Sequence, residues 1–281
     1  SLVKVGGRVD GVDMGTGTLT LTGDNTYSGG TNVQAGKVAL NADSALGTGK
    51  AIFAKDTELT LDVNKKVLLD TGIEQGLSVA NAIEVKGEVD IHSGSFDSSL
   101  TGVISGTGSL VKDGAGQLNL TGANSYAGGT QVTAGKVALD ANTALGTGAA
   151  TFAKDTELSL GISKGISVAN AITTDGIIKQ SNDFDSSLTG VISGTGSLVK
   201  DGAGLLSLTG ANSYAGGTQV NAGKVALDAN TALGVGSATF AKDTELSLGI
   251  TKGLSVANAI EVNGEVDIHS GSFDSSLTGV I

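Results

Sequence analysis

A long block is written three times in this chain, and that repetition limits the fold more than any other feature. The segment LTGDNTYSGGTNVQAGKVAL runs from Leu21 to Leu40, returns as LTGANSYAGGTQVTAGKVAL from Leu120 to Leu139, and appears again as LTGANSYAGGTQVNAGKVAL from Leu208 to Leu227. Tyr27, Tyr126 and Tyr214 set the spacings at 99 and 88 residues. Units of this length that recur in tandem bury their apolar faces against their neighbours, so the chain is expected to stack as an array with function spread over an extended surface. We place the copies at 17–104, 108–192 and 196–281, the last truncated, within a single body covering 1–281.

Each copy has the same internal order. Gly-Gly-Thr follows the tyrosine, then come AGKVAL, Ala-Leu-Gly, FAKDTEL, SVANAI and FDSSLTGVI. About ten extra residues near Val63–Gly76 lengthen the first copy, as insertions into one loop of an array do. Apolar residues alternate with polar ones at Leu19 and Leu21, Leu59, Leu61 and Val63, and Val85, Val89 and Ile91. That period of two marks strands with one buried face. No stretch keeps apolar residues at helical spacing for three turns, and SVANAI is too short to stand alone as a helix.

Composition decides between all-β architectures. Forty-five glycines and no proline imply turns built on positive φ and a backbone whose N–H groups are nearly all engaged. Aromatic residues make up 3% of the chain, so Val, Leu, Ile and Ala must fill a narrow interior. A sandwich would need many two-residue hairpin turns, and the plain candidates are Asp113-Gly114, Asp175-Gly176, Asp201-Gly202 and Asn263-Gly264. Coils of roughly 20 residues, each with two or three short strands, suit the spacing better. The expected fold is all-β: a right-handed parallel β-helix (solenoid). Phe53, Phe152 and Phe240, the large residues of FAKDTEL, should lie in or over its core.

The net charge of −11 is spread without blocks of either sign, which argues against nucleic acid and against docking on an anionic membrane. The absence of cysteine excludes disulfides, thiolate metal sites and thiol catalysis. No run of 18 apolar residues is present, so no membrane insertion by a helix is expected of this segment. The chain opens at Ser1 without an initiator Met and stops at Ile281 inside a copy, which reads as a piece of a longer protein.

LTGxNxYxGGTxVxAGKVAL, with Leu-Gly shortly after it, resembles the passenger-associated repeat of bacterial autotransporters. Leu21, Gly23, Asn25, Tyr27, Gly29, Gly30, Thr31, Val33, Ala35, Gly36 and Leu40 carry the resemblance, with their counterparts in later copies. It implies a right-handed parallel β-helix exported to the surface of a Gram-negative bacterium, or secreted, with a C-terminal outer-membrane barrel as anchor in the parent protein.

Several groupings invite a site. Asp97, Asp185 and Asp274 recur in FDSSL, and Asp56/Glu58, Asp155/Glu157 and Asp243/Glu245 recur in KDTEL. Polysaccharide cleavage needs two carboxylates at a defined separation. Copies in every repeat instead suggest turn-capping aspartates and outward strand glutamates, and there is no Trp to form a sugar platform. His92 and His269 are equivalent, but the second copy reads IKQSNDF with no His. Solvated strand ends are the expected reading. GTGTL and SGTGSL lack the helix and the GK[ST] element of a phosphate loop, so they read as turns. The threonines of TLTLT at Thr18–Thr22 do not persist in QLNLT and LLSLT.

No catalytic, cofactor-binding or metal-binding residue is assigned. The expected role is non-enzymatic: a surface adhesin or autoaggregation stalk acting through its lateral surface. Its partners would be a second copy of the chain, or host surface glycans and proteins. A structural spacer carrying a separate effector is the first alternative, and a polysaccharide-active β-helix enzyme the second.

Overall fold

A computed structural model describes the chain except for residues 6–7, 10–11, 14–16 and 62–75. The insertion expected near Val63–Gly76, and Val63 itself, therefore lie outside the described residues apart from Gly76. The chain divides into two compact units. One comprises Ser1–Val137 with Thr143–Ala149, and the other Ala138–Asn142 with Ala150–Ile281.

Each unit is a parallel β-solenoid, and the described residues contain no helix. In the first unit, strands Leu2–Lys4, Thr31–Val33, Ala51–Phe53, Ile83–Val85 and Ile104–Gly106 stack as one parallel sheet. Thr18–Leu21, Gly36–Leu40, Thr57–Thr60, Glu88–His92, Ser109–Asp113 and Thr130–Val132 form a second. Ser78–Val79, Ser98–Leu100 and Gln117–Leu120 form a third. Antiparallel pairing among the described residues is confined to Arg8–Val9 with Val12–Asp13. The sandwich alternative is thereby overturned.

The second unit repeats this plan. Ile177 to Gln180 pairs with Ser197 to Lys200, then Thr218–Val220, Ala238–Ala241 and Ile260–Asn263 follow. Lys179, Val199, Gln219 and Thr239 are register partners, so one turn takes 20 residues here. Because side chains alternate across a strand, this row faces outward while Ile178, Leu198, Thr218 and Ala238 form the inward row beside it.

The repeat is not a whole number of turns. Ser167, Ser187, Ser207, Ala226 and Ser247 are successive register partners, four turns in all. Ser255, the counterpart of Ser167 one copy later, lies eight residues past Ser247 and pairs with Ser276 in another sheet. The first unit does the same: Thr31–Val33 and its counterpart Thr130–Val132 belong to different sheets. Each copy therefore advances four turns and one further face.

The residues shared by all copies explain why the ladder survives that advance. Where a copy passes through Asn-x-Tyr, the strand is interrupted and the asparagine amide replaces its main-chain bonds. Asn124 Oδ1 accepts from Ile104 N at 2.8 Å, and its Nδ2 donates to Ala144 O at 2.6 Å. Asn212 does the same between Ile192 N, at 2.8 Å, and Ala232 O, at 2.7 Å. The tyrosine behind it lies inward. Tyr126 and Tyr214 share a hydrogen bond with Thr130 and Thr218 at 2.6 Å, and each threonine passes its own proton to Leu145 O or Leu233 O at 3.1 Å. Burial holds both phenols above the usual tyrosine range. The Gly of Ala-Leu-Gly then crosses the ring face at positive φ: a Cβ on Gly234 would meet Tyr214 O at 2.4 Å. Phe53, Phe152 and Phe240 lie in the core as expected, at 0%, 2% and 0% exposure.

Candidate lateral binding surface

With the shared motif turned inward, the side chains open to a partner are the outward rows. In the first unit Thr18, Lys37, Glu58, Asp90 and Val111 are consecutive register partners on one sheet. Alongside runs Thr20, Ala39, Thr60, His92 and Asp113. Lys37 Nζ lies 2.6 Å from Glu58 Oε2, and Thr60 donates to Glu58 Oε1 at 2.9 Å. Burial works to raise the Glu58 carboxyl, but hydrogen bonds from Lys37 and Thr60 outweigh it and hold the group low. The same bond from Glu58 raises Lys37. Asp90 is raised by burial, then by the negative charges of Glu58, Glu88 and Asp113. His92 Nδ1 sits 2.8 Å from Asp113 Oδ1.

The second unit carries the same set on strands of the third copy. Leu205, Lys224, Glu245 and Asp267 are register partners, with Ser207, Ala226, Ser247 and His269 beside them. Lys224 and Glu245 are 2.8 Å apart, and His269 is 3.9 Å from Glu245. In the second copy the counterparts of Asp90 and His92 are Lys179 and Ser181, and Lys179 pairs with Asp201 at 2.9 Å. The outward rows thus carry charges of both signs along the solenoid without keeping one composition.

A shallow groove of about 360 Å³ interrupts the second unit's surface. Gly216 and Gly217 line it, and a Cβ at either would meet the backbone of a neighbouring turn, Gly196 O at 2.5 Å or Ser237 O at 2.6 Å. Ser197, Val199, Gln219, Ser237 and Thr239 line it with hydroxyls, an amide and one aliphatic face.

The carboxylates singled out from sequence divide between turns and the outward rows. Asp97 accepts from Gln117 N at 3.0 Å and Asp185 from Leu205 N at 2.8 Å, each capping the turn above. Asp274 is exposed. Asp56, Asp155 and Asp243 occupy left-handed turns at φ 59°, 64° and 62°, a conformation aspartate tolerates better than most residues. Glu58 and Glu245 face outward in the lysine pairs. Among the described residues no three His, Asp or Glu side chains converge to hold a metal ion. His92, at the end of its strand, pairs with Asp113 while its side chain stays partly solvated, and His269 is exposed.

Sequence reasoning missed one recurring group, the lysine of SLVK. Alternation points it inward, two residues after the buried leucine. Lys112 and Lys200 are 1% and 0% exposed. Lys112 Nζ donates to Asp113 O at 2.8 Å, Gly114 O at 2.7 Å and Ala134 O at 3.0 Å. Lys200 Nζ donates to Gly202 O and, at 3.1 Å, to Ala222 O, while Lys4 Nζ reaches Ala35 O at 3.2 Å. Burial pulls Lys112 down to about 8, with Asp113 opposing, and lowers Lys200 as well. Recurrence at an inward position was the available signal.

Comparison with known proteins agrees with this organisation. Residues 14–40, 110–139 and 198–227 match the passenger-associated-transport-repeat family, one match per copy. Over 124 residues, 44% of the chain, the sequence is 38% identical to the adhesin BmaC autotransporter of Brucella suis biovar 1 (strain 1330). The chain spans about 3% of that relative's length. No solved structure matches it. The chain therefore carries three passenger-associated transport repeats on a parallel β-solenoid, the architecture expected of an autotransporter passenger.

Proposed function

We propose that the chain is a non-enzymatic segment of a surface-displayed or secreted autotransporter passenger, contributing to attachment through its outward rows. The observation that supports this most is the division of labour in each copy. The Asn, Tyr and Thr shared by all copies hold the ladder together, while the outward rows present lysines, carboxylates, hydroxyls and amides over many turns. Such a surface gains strength by adding modest contacts, each weak in water, across successive turns. A second copy of the chain or a host surface glycan or protein could engage it, and an adhesin relative of 38% identity points the same way. An outer-membrane barrel downstream would anchor it.

The test is display of residues 1–281 on a non-adherent, non-aggregating bacterium. Settling of the cells, or retention on a host-cell layer, is the expected result. Removing 88 residues between equivalent points of two copies should weaken it in a graded way, whereas Glu58→Gln or His92→Ala should leave it nearly intact. Cells that neither settle nor adhere would make the segment a spacer. Abolition by a single point change would reveal a discrete site.

A further inference from the structure

The solenoid has a weakness that its apolar pattern cannot correct. Sliding one strand by two residues against its neighbour returns every inward side chain to the inside, so leucine, valine and isoleucine rows do not distinguish the two alignments. This chain uses both. In the first and third copies Leu59 is opposite Ile91, and Leu246 opposite Ile268. In the second copy the equivalent Leu158 lies opposite Ile178, two residues earlier on the counterpart strand.

The strand pair that carries the SLVK lysine does not vary. Leu2 is opposite Thr31, Leu110 opposite Thr130 and Leu198 opposite Thr218. In all three the lysine Nζ reaches past the next strand to the same carbonyl, that of Ala35, Ala134 or Ala222. Lys112 and Lys200 also bond carbonyls of their own turn, so the ammonium ties one turn to the next. A two-residue slip would carry Nζ away from the alanine carbonyl and leave a buried charge short of an acceptor. Buried polar groups are best attested as devices that fix register, often at a cost in stability.

We propose that the three SLVK lysines, Lys4, Lys112 and Lys200, are register pins, which fix the alignment of successive turns where the apolar rows would accept either of two.

The chain has no cysteine, so paired cysteines can report alignment directly. Val111 and Gln131 are outward register partners, and Thr133 is the outward residue two further on. Adjacent strands about 4.8 Å apart let the first pair close as a disulfide, whereas Val111 with Thr133 is out of reach without a slip. V111C/Q131C and V111C/T133C are made with and without Lys112→Met, refolded reduced and then oxidised. Only V111C/Q131C should close when Lys112 is present. In Lys112→Met the slipped pair should close roughly ten-fold more than in the parent, the size expected when one well-made charged contact is lost. A folded Lys112→Met in which the slipped pair stays at the parent's level overturns the proposal. Should Lys112→Met not fold, Lys200→Met is read with V199C/Q219C against V199C/N221C, and the same outcomes decide it.

Discussion

The inside and the outside of the third copy are built from the same turns and follow different rules. Inside, Asn212, Tyr214 and Thr218 form a chain of hydrogen bonds that matches Asn124, Tyr126 and Thr130 of the second copy to within 0.1 Å. Outside, Glu245, Asp267 and His269 have Glu157, Lys179 and Ser181 in the corresponding places, and the charge pattern changes with them. On the inward side, identity between copies marks what the fold needs. The outward rows mix both kinds of position: the lysine of AGKVAL and the glutamate of KDTEL are kept in every copy, while the residues beside them change. The motif by which such repeats are recognised says least about what they bind.

The contrast is open to direct test, from the largest effect downward. Phe240→Ala should lower stability by about 4 kcal/mol in chemical denaturation, while Phe184→Ala, at a residue 43% exposed, should cost far less. Comparable losses at the two sites would dissolve the distinction. Lys112 gives a pH signature. Its folded value near 8 lies below the ordinary 10.5, so between those values the unfolded chain holds the proton more tightly and stability rises with pH. The rise is of order 3 kcal/mol across the window, and Lys112→Met should reduce it, leaving the part that Lys200 contributes. A flat profile in the parent would mean that the ammonium is well solvated.

Next comes Asn212→Ala, which strands Ile192 N–H and Ala232 C=O in a buried place. A loss of about 2 kcal/mol is expected. A midpoint within error of the parent would show that water replaces the amide. Smallest of all, Glu245→Gln should leave the denaturation midpoint unresolved from the parent, since its pair with Lys224 is solvent-exposed. A clear shift there would move the outward rows into the architecture.

Much of this was legible in the sequence. The alternation at Leu59 and Leu61 gave the strand face, the absence of proline suited a fully engaged ladder, and the recurrence of Asp97 and Asp185 marked turn caps. Lys112 was not read, because a lysine at a strand end is ordinarily solvated. Carbonyls of its own turn, Asp113 O and Gly114 O, together with Ala134 O of the next make burial tolerable there. The Asp113 partner of His92 was likewise not legible: it lies 21 residues away in sequence and one turn away in space. The groove beside Gly216–Gly217 was not legible because its lining, from Ser197 to Thr239, comes together only when successive turns of the third copy stack.

The advance of four turns and one face per copy bears on how such a chain can change length. Unequal recombination between copies adds or removes an 88-residue block and rejoins matching sequence, so no turn is cut and the inward rows close without a seam. Within the second unit, where Ser167 and its counterpart Ser255 lie on different sheets, residues after the junction nevertheless shift by one face. A deletion that is silent in folding would reorient whatever the later turns display, and a lineage could vary the direction of its surface without altering a residue on it.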